Sequence, residues 1–145
     1  MSETVTVDAE FTSPIERVWA ALTDPTSYSR WMFFQADHFK PVVGHRFQFR
    51  SEPGPGWDGI VDAEVLRADP PHHLSYTWVS GVLHTTVSWT LTTREDGGTS
   101  LHLEQTGFPA DARREIGGAH YGWTKMAEQL RDWLASEHEG AGGSR

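Results

Sequence analysis

Apolar and polar residues alternate along most of this chain, and an alternation with a period of two residues is typical of half-buried β-strands. The first alternating stretch runs from Val5 to Phe11, and five further stretches follow between Phe47 and Gln105. Turns rich in proline, glycine and aspartate separate them. Because every stretch has one apolar and one polar face, the pattern predicts an antiparallel sheet that is covered on a single side.

Helical patterns occur after the first strand and at the end of the chain. Two short helices are predicted, one over residues 13–24 with Ser13 as its capping residue and Pro14 at its first position, and one around residues 26–32. Apolar residues at three- and four-residue spacing between Ile116 and Leu134 predict a long amphipathic helix, which we expect to cover the sheet. Each glycine of the pair Gly117-Gly118 disfavours helix by about 1 kcal/mol. We therefore expect either a helix that begins after this pair or a hinge or kink at the pair.

Length, charge and composition narrow the classes of protein to consider. The 145 residues fit one domain, which we expect over residues 1–136, and the polar, glycine-rich residues 137–145 predict a disordered tail. The formal charge of −8 disfavours nucleic acid as a partner, and the absence of cysteine excludes disulfides and thiol chemistry. The first residues do not resemble a signal peptide and no apolar run is long enough to cross a membrane. We expect a cytoplasmic protein without membrane insertion.

Seven tryptophans are many for a chain of this length. Tryptophan supplies large, rigid wall area, so this composition suits either an aromatic-lined cavity or a large core. We expect a cavity between the sheet and the C-terminal helix. The residues predicted to line it or to contact a ligand are Trp31, Phe47, Phe49, Trp57, Val61, Tyr76, Trp78, Trp89, Leu103, Gln105, His120 and Trp123.

Two polar residues of this set could carry chemistry. Gln105 shares its strand face with Leu103, and a buried amide without a partner costs about 1–3 kcal/mol. Its partner is either a neighbouring backbone group or Tyr76, or else a ligand that it orients. His120 lies on the apolar stripe of the helix beside Trp123. It is either a satisfied core residue or an acid, base or ligand anchor, and it is the one candidate catalytic residue.

The remaining motifs do not indicate a cofactor. Residues 54–59 have the spacing G-x-G-x-x-G, but a strand follows them where a dinucleotide-binding motif requires a helix. No spacing of histidine or carboxylate residues indicates a metal site. We therefore expect neither cofactor nor metal.

Five segments, taken in order, resemble a known family. They are Ser13 to Pro25 (SPIERVWAALTDP), Trp31, Asp69 to Trp78 (DPPHHLSYTW), Gly98 to Phe108, and the HYGW segment at residues 120–123. They resemble homologues of the activator of the heat-shock protein 90 ATPase, and the order of elements resembles the helix-grip fold of START-like (SRPBCC) domains. The resemblance implies an α+β fold in which a curved antiparallel sheet wraps around a long C-terminal helix, with two short helices after the first strand. Gln105 replaces a histidine that is frequent in the family.

Three functions are consistent with these observations. We expect the chain to bind a small apolar or aromatic molecule in its cavity, as a monomer or homodimer. The first alternative, implied by similarity to aromatic polyketide cyclases of the same superfamily, is a cyclase or dehydratase that acts on a polyketide-like substrate in the same cavity. The second alternative, implied by the family resemblance, is an ATPase activator that contacts a chaperone.

Overall fold

Seven antiparallel strands form one curved sheet in this computed structural model, which describes residues 2–32, 34–54 and 58–143. The strands are β1 (Ser2–Phe11), β2 (Gln35–Asp37), β3 (Arg46–Arg50), β4 (Ile60–Asp69), β5 (His73–Ser80), β6 (Leu83–Thr93) and β7 (Thr99–Pro109). The helices are α1 (Ile15–Thr23), α2 (Pro25–Trp31) and α3 (Arg113–Gly143). The strand order is β1-β7-β6-β5-β4-β3-β2, so β1 closes the sheet against the last strand of the chain. The predicted α+β fold, with two short helices after the first strand and a long C-terminal helix, is confirmed.

The predicted alternation determines which side of the sheet is buried. In β3 to β7 the apolar residues of the pattern are buried, whereas the residues between them are half-buried or exposed. The buried face meets α3, whose Trp123, Met126, Leu130 and Leu134 are each at most 3% exposed. Amphipathic faces of sheet and helix thus form one apolar core.

Two β-bulges interrupt the alternation. The pairing of β1 with β7 shifts between Glu3 and Thr4, which leaves Gly107 as an extra residue on β7. Gly107 has a φ of +101°, which favours glycine, and a Cβ there would lie 3.0 Å from the carbonyl oxygen of His84. The extra residue reverses the alternation, so Phe108 is buried at 1% exposure. A second shift between Val65 and Arg67 interrupts β4.

Three local predictions need correction. Strand β2 was missed, since its three residues are too few to show an alternation. Helix α1 has Pro14 as its N-cap without a side-chain cap; the carbonyl of Ser13 instead accepts a 2.8 Å hydrogen bond from the buried hydroxyl of Thr99. Helix α3 begins at Arg113 and runs through Gly117 and Gly118, so a start after the glycines is wrong.

The C-terminal part of α3 extends further than its apolar stripe. The helix ends at Gly143, and among its residues up to 136 the last buried apolar one is Leu134. The disorder of residues 137–145 stays a prediction. Within the described residues, none of the helices combines the length and the apolar character that crossing a membrane requires.

Candidate functional site

A cavity of about 370 Å³ lies between the sheet and the first half of α3. Strands β4 to β7 and the loop before β2 form one wall, and one flank of α3 forms the other. The lining residues are Phe34, Val61, Trp78, Ser80, Leu83, Gln105, Phe108, Glu115, Gly118, Ala119, Gly122, Trp123 and Met126. Its volume is within the range of about 300–1,000 Å³ that is usual for small-molecule sites.

The lining residues divide into a buried base and an accessible mouth. Six of them are buried, namely Val61, Trp78, Gln105, Phe108, Trp123 and Met126. Glu115 and Gly118 on the first turns of α3 are exposed, and Ser80 and Leu83 beside the β5–β6 turn are half-buried. The cavity therefore reaches solvent between the start of α3 and this turn.

Gln105 is the polar residue at the base, and it is 3% exposed. Its Oε1 accepts a 2.7 Å hydrogen bond from the indole N–H of Trp123, and its Nε2 donates a 2.8 Å hydrogen bond to the hydroxyl of Thr85. The Thr85 hydroxyl in turn donates to the carbonyl oxygen of Trp78 at 2.9 Å. Because an indole N–H can only donate, the orientation of the Gln105 amide is determined by its neighbours.

This network leaves part of Gln105 unused. A primary amide has two N–H donors and two oxygen lone pairs, and the hydrogen bonds above use one of each. Within the described residues, the second N–H has no acceptor. A buried donor without an acceptor is unfavourable, and a ligand in the cavity could supply one.

Aromatic side chains hold the base of the cavity rigid. The ring centroid of Trp78 lies 5.2 Å from that of Phe34, 4.9 Å from Phe49 and 5.3 Å from Trp123. Trp123 also meets Trp89 edge-to-face at 5.5 Å. Such tilted and edge-to-face pairs fix ring positions, so the base is preformed.

The comparisons with known proteins agree with this architecture. The family model of the activator of Hsp90 ATPase homolog 1-like protein matches residues 12–135. The chain belongs to this family. A search of curated proteins found no match.

Solved structures similar to this member of the activator of Hsp90 ATPase homolog 1-like family come from several bacteria. Protein MLL2253 from Mesorhizobium loti is 39% identical, with a TM-score of 0.82 over 92% of this chain and 98% of its own. DynU16, a protein of the dynemicin biosynthetic locus, is 26% identical, with a TM-score of 0.77 over 92% of this chain but 48% of its own. CalU16 from Micromonospora echinospora is 24% identical, with a TM-score of 0.73 over 95% of this chain and 80% of its own. This last likeness supports the fold alone.

Apart from His120, the residues predicted to contact a ligand fall into three groups in this family member. Val61, Trp78, Gln105 and Trp123 line the cavity. Trp57 lies outside the described residues. The others, apart from His120, are buried in the core and do not line the cavity: Trp31, Phe47, Phe49, Tyr76, Trp89 and Leu103.

Tyr76 lies in the core and not in the cavity wall, so it cannot react with a molecule in the cavity. Its hydroxyl accepts a 2.9 Å hydrogen bond from the indole N–H of Trp89, and burial raises the pKa of the Tyr76 phenol. Trp31 is satisfied in the same way, since its indole N–H donates to the carbonyl of Ala21 at 3.1 Å. These polar groups bond to other core residues. Gln105 was expected to bond to a neighbouring backbone group or to Tyr76, or else to a ligand. Both protein partners are wrong, because Gln105 bonds to the side chains of Thr85 and Trp123.

The expectation that His120 faces the cavity is also wrong, since its side chain is exposed and does not line it. The reason is the rotation of about 100° per residue along a helix. Gly122 lies about 100° to one side of Trp123, whereas His120 lies about 60° to the other side. The cavity lies on the side of Gly122. An apolar stripe shows which residues of a helix lie near the sheet. It does not show on which side of the stripe the helix and the sheet separate to leave a cavity.

The sequence offered signals for some of the lining residues that were missed. Five lining residues of α3 follow helical spacing: Glu115, Gly118, Ala119, Gly122 and Met126. Three of them are glycine or glutamate, so the set does not show as an apolar stripe. Phe108 was missed because the bulge at Gly107 reverses the alternation. Phe34, Ser80 and Leu83 lie in or beside loops, where no periodicity exists.

The electrostatics of the site are simple. Among the described lining residues, Glu115 is the single charged side chain, and it lies at the mouth. No three histidine or carboxylate side chains in the described part of the chain are placed to hold a metal ion. The cavity can therefore enclose an apolar body and offer it amide and indole hydrogen bonds.

Proposed function

We propose that this protein binds a small hydrophobic or aromatic molecule in the cavity between its sheet and α3. The observation that carries the proposal is the combination of a preformed aromatic base with Gln105, a buried amide that keeps an unused N–H. Mostly apolar walls with a few convergent polar groups characterise small-molecule sites. Membership of the family and the likeness to START-like folds are consistent with ligand binding.

Tryptophan indole signals provide the test. Trp78 and Trp123 line the cavity, whereas Trp31 is bonded within the core. In ¹H–¹⁵N spectra, a ligand from a panel of apolar and polyphenolic compounds should shift the indole signals of Trp78 and Trp123 and leave that of Trp31 in place. A panel that shifts none of them, or all three alike, would contradict binding in this cavity.

An enzymatic alternative is favoured by one observation, the similarity to DynU16 of a biosynthetic locus. In this reading the cavity would fold and dehydrate a polyketide-like chain. His120 does not serve as the acid or base in this alternative, because its side chain is exposed and does not line the cavity. Glu115 is the single charged side chain among the described lining residues. Turnover of a poly-keto substrate analogue that persists in His120→Ala but is lost in Glu115→Gln would favour an enzyme over a binding protein.

A chaperone-contacting role is favoured by the family itself. Val42, Val43 and Leu66 are large apolar residues with 46–63% exposure and lie on neighbouring segments, since Gly44 and Val65 share a hydrogen bond. If these residues contact a chaperone, Val43→Glu should abolish stimulation of the ATPase of a bacterial Hsp90 homologue. Absence of stimulation by the wild-type protein would contradict this role.

A further inference from the structure

The indole N–H of Trp78 is a second unused hydrogen-bond donor in the cavity wall, in addition to that of Gln105. Trp78 is 9% exposed and lines the cavity, yet within the described residues its indole N–H has no acceptor. By contrast, the indoles of Trp31, Trp89 and Trp123 each donate to an oxygen atom of the protein. The base of the cavity thus contains two buried N–H groups without an acceptor.

The same wall offers an anion no cation to pair with. No lysine or arginine lines the cavity within the described residues, and the one charged lining residue is the carboxylate of Glu115. A carboxylate brought to the base would lose its hydration without gaining an ion pair, which is strongly unfavourable. A neutral carbonyl oxygen has a far smaller desolvation cost and accepts hydrogen bonds from amide and indole donors.

We propose that the cavity selects uncharged ligands with a carbonyl or similar hydrogen-bond acceptor at their buried end and discriminates against carboxylates. Gln105 and Trp78 donate to the acceptor, the aromatic base contacts the apolar body, and Glu115 disfavours anions at the mouth. Free fatty acids and aromatic acids are therefore poor ligands, whereas aryl ketones, quinones and lactones are good ones. This inference rests on the proposed binding function.

Three naphthalene derivatives with the same substituted position test the selectivity. Acetylnaphthalene carries a ketone, isopropenylnaphthalene replaces the oxygen with a carbon of similar shape, and naphthoate carries a carboxylate. We expect isopropenylnaphthalene to bind roughly 5- to 100-fold more weakly than the ketone, because it leaves the buried donors unpaired. We expect naphthoate at pH 7 to bind at least as weakly, measured by calorimetry or by the indole signals of Trp78 and Trp123.

The outcomes separate this inference from the proposed function. Equal affinity for the ketone and the hydrocarbon would overturn the inference and leave hydrophobic binding in place. If neither the ketone nor the hydrocarbon shifts the indole signals of Trp78 and Trp123, both the inference and the proposed binding function are overturned. Tighter binding of naphthoate than of the ketone would overturn the discrimination against anions.

Variants assign the selectivity to named residues. Trp78→Phe keeps an aromatic ring but removes the N–H, so the preference for ketone over hydrocarbon should shrink. Glu115→Lys places a cation at the mouth and should raise the affinity for naphthoate by about 2- to 5-fold. Glu128→Lys is the matched control, because Glu128 is an exposed carboxylate of α3 that does not line the cavity. An equal gain in both lysine variants would overturn the role of Glu115.

Discussion

Side chains added at Gly118 and Gly122 of α3 should stabilise the protein and weaken ligand binding at the same time. Gly118 and Gly122 line the cavity, and a Cβ built on either meets no heavy atom within 4 Å. Alanine therefore fits without strain, and each substitution should gain about 0.8–1 kcal/mol of helix propensity. The double alanine variant should gain about 1.6–2 kcal/mol, or about 4–8 °C in the thermal midpoint for a chain of this size.

A larger side chain at Gly122 separates the two effects. Leucine has nearly the helix propensity of alanine, so Gly122→Leu should still stabilise the helix. Its side chain would occupy the cavity and lower the affinity for acetylnaphthalene by about 10-fold or more, since hydrophobic pockets discriminate at the level of single methylene groups. Thermal denaturation measures the first effect and calorimetric titration the second.

Gly117→Leu is the matched control. Gly117 lies in the same helix and has equally open surroundings, but it is exposed and does not line the cavity. It should give the same gain in stability without loss of binding. Equal affinities in the two leucine variants would refute the assignment of the cavity. Destabilisation by Gly122→Leu of more than about 1 kcal/mol would refute the reasoning that no close packing requires the glycine.

Two further predictions concern hydrogen bonds. Gln105→Met should destabilise the protein by about 1–3 kcal/mol, because the buried indole N–H of Trp123 loses its acceptor. A free energy of unfolding, measured by urea denaturation, within about 0.5 kcal/mol of that of the wild type would contradict this. Hydrogen bonds to Asp8 at 2.6 Å and to Glu104 at 2.9 Å raise the pKa of His102 above 6.5. Since the folded-state pKa is the higher one, the stabilisation is complete below about pH 6.5 and disappears as the pH rises through the raised value. The difference in stability between wild type and His102→Gln should therefore be larger at pH 6 than at pH 9, and a difference that grows with pH would contradict the assignment.

The fold was predictable because one physical cause acts along the whole chain. A sheet buried on one side requires apolar and polar residues to alternate, and a helix that covers it requires an apolar stripe. Leu101 and Leu103 belong to the first pattern and Leu130 to the second, and all three are buried. Where an element is too short for a period, as in β2, nothing in the pattern indicates it.

The cavity was less predictable than the core. Phe47, Phe49 and Trp89 point inward as predicted, but they fill the core and do not line the cavity. Periodicity reports which face of a strand is buried and carries no information on where along the strand the helix and the sheet separate. Gln105 was identified because it is a polar residue on an apolar face, and that signal does not depend on the separation.

Several local departures from good packing and good propensity meet at one place in this protein. Helix α3 gives up about 2 kcal/mol of propensity at Gly118 and Gly122, although no neighbouring atom among the described residues requires a glycine there. The indole N–H of Trp78 and one N–H of Gln105 lack acceptors within the described residues in the same wall. A defect of packing would be expected to collapse or to be filled, whereas departures from local rules that coincide at one site are typical of function. The one visible consequence of both glycines is open volume beside two unused donors, and a ligand with an acceptor at its buried end accounts for all of these features together.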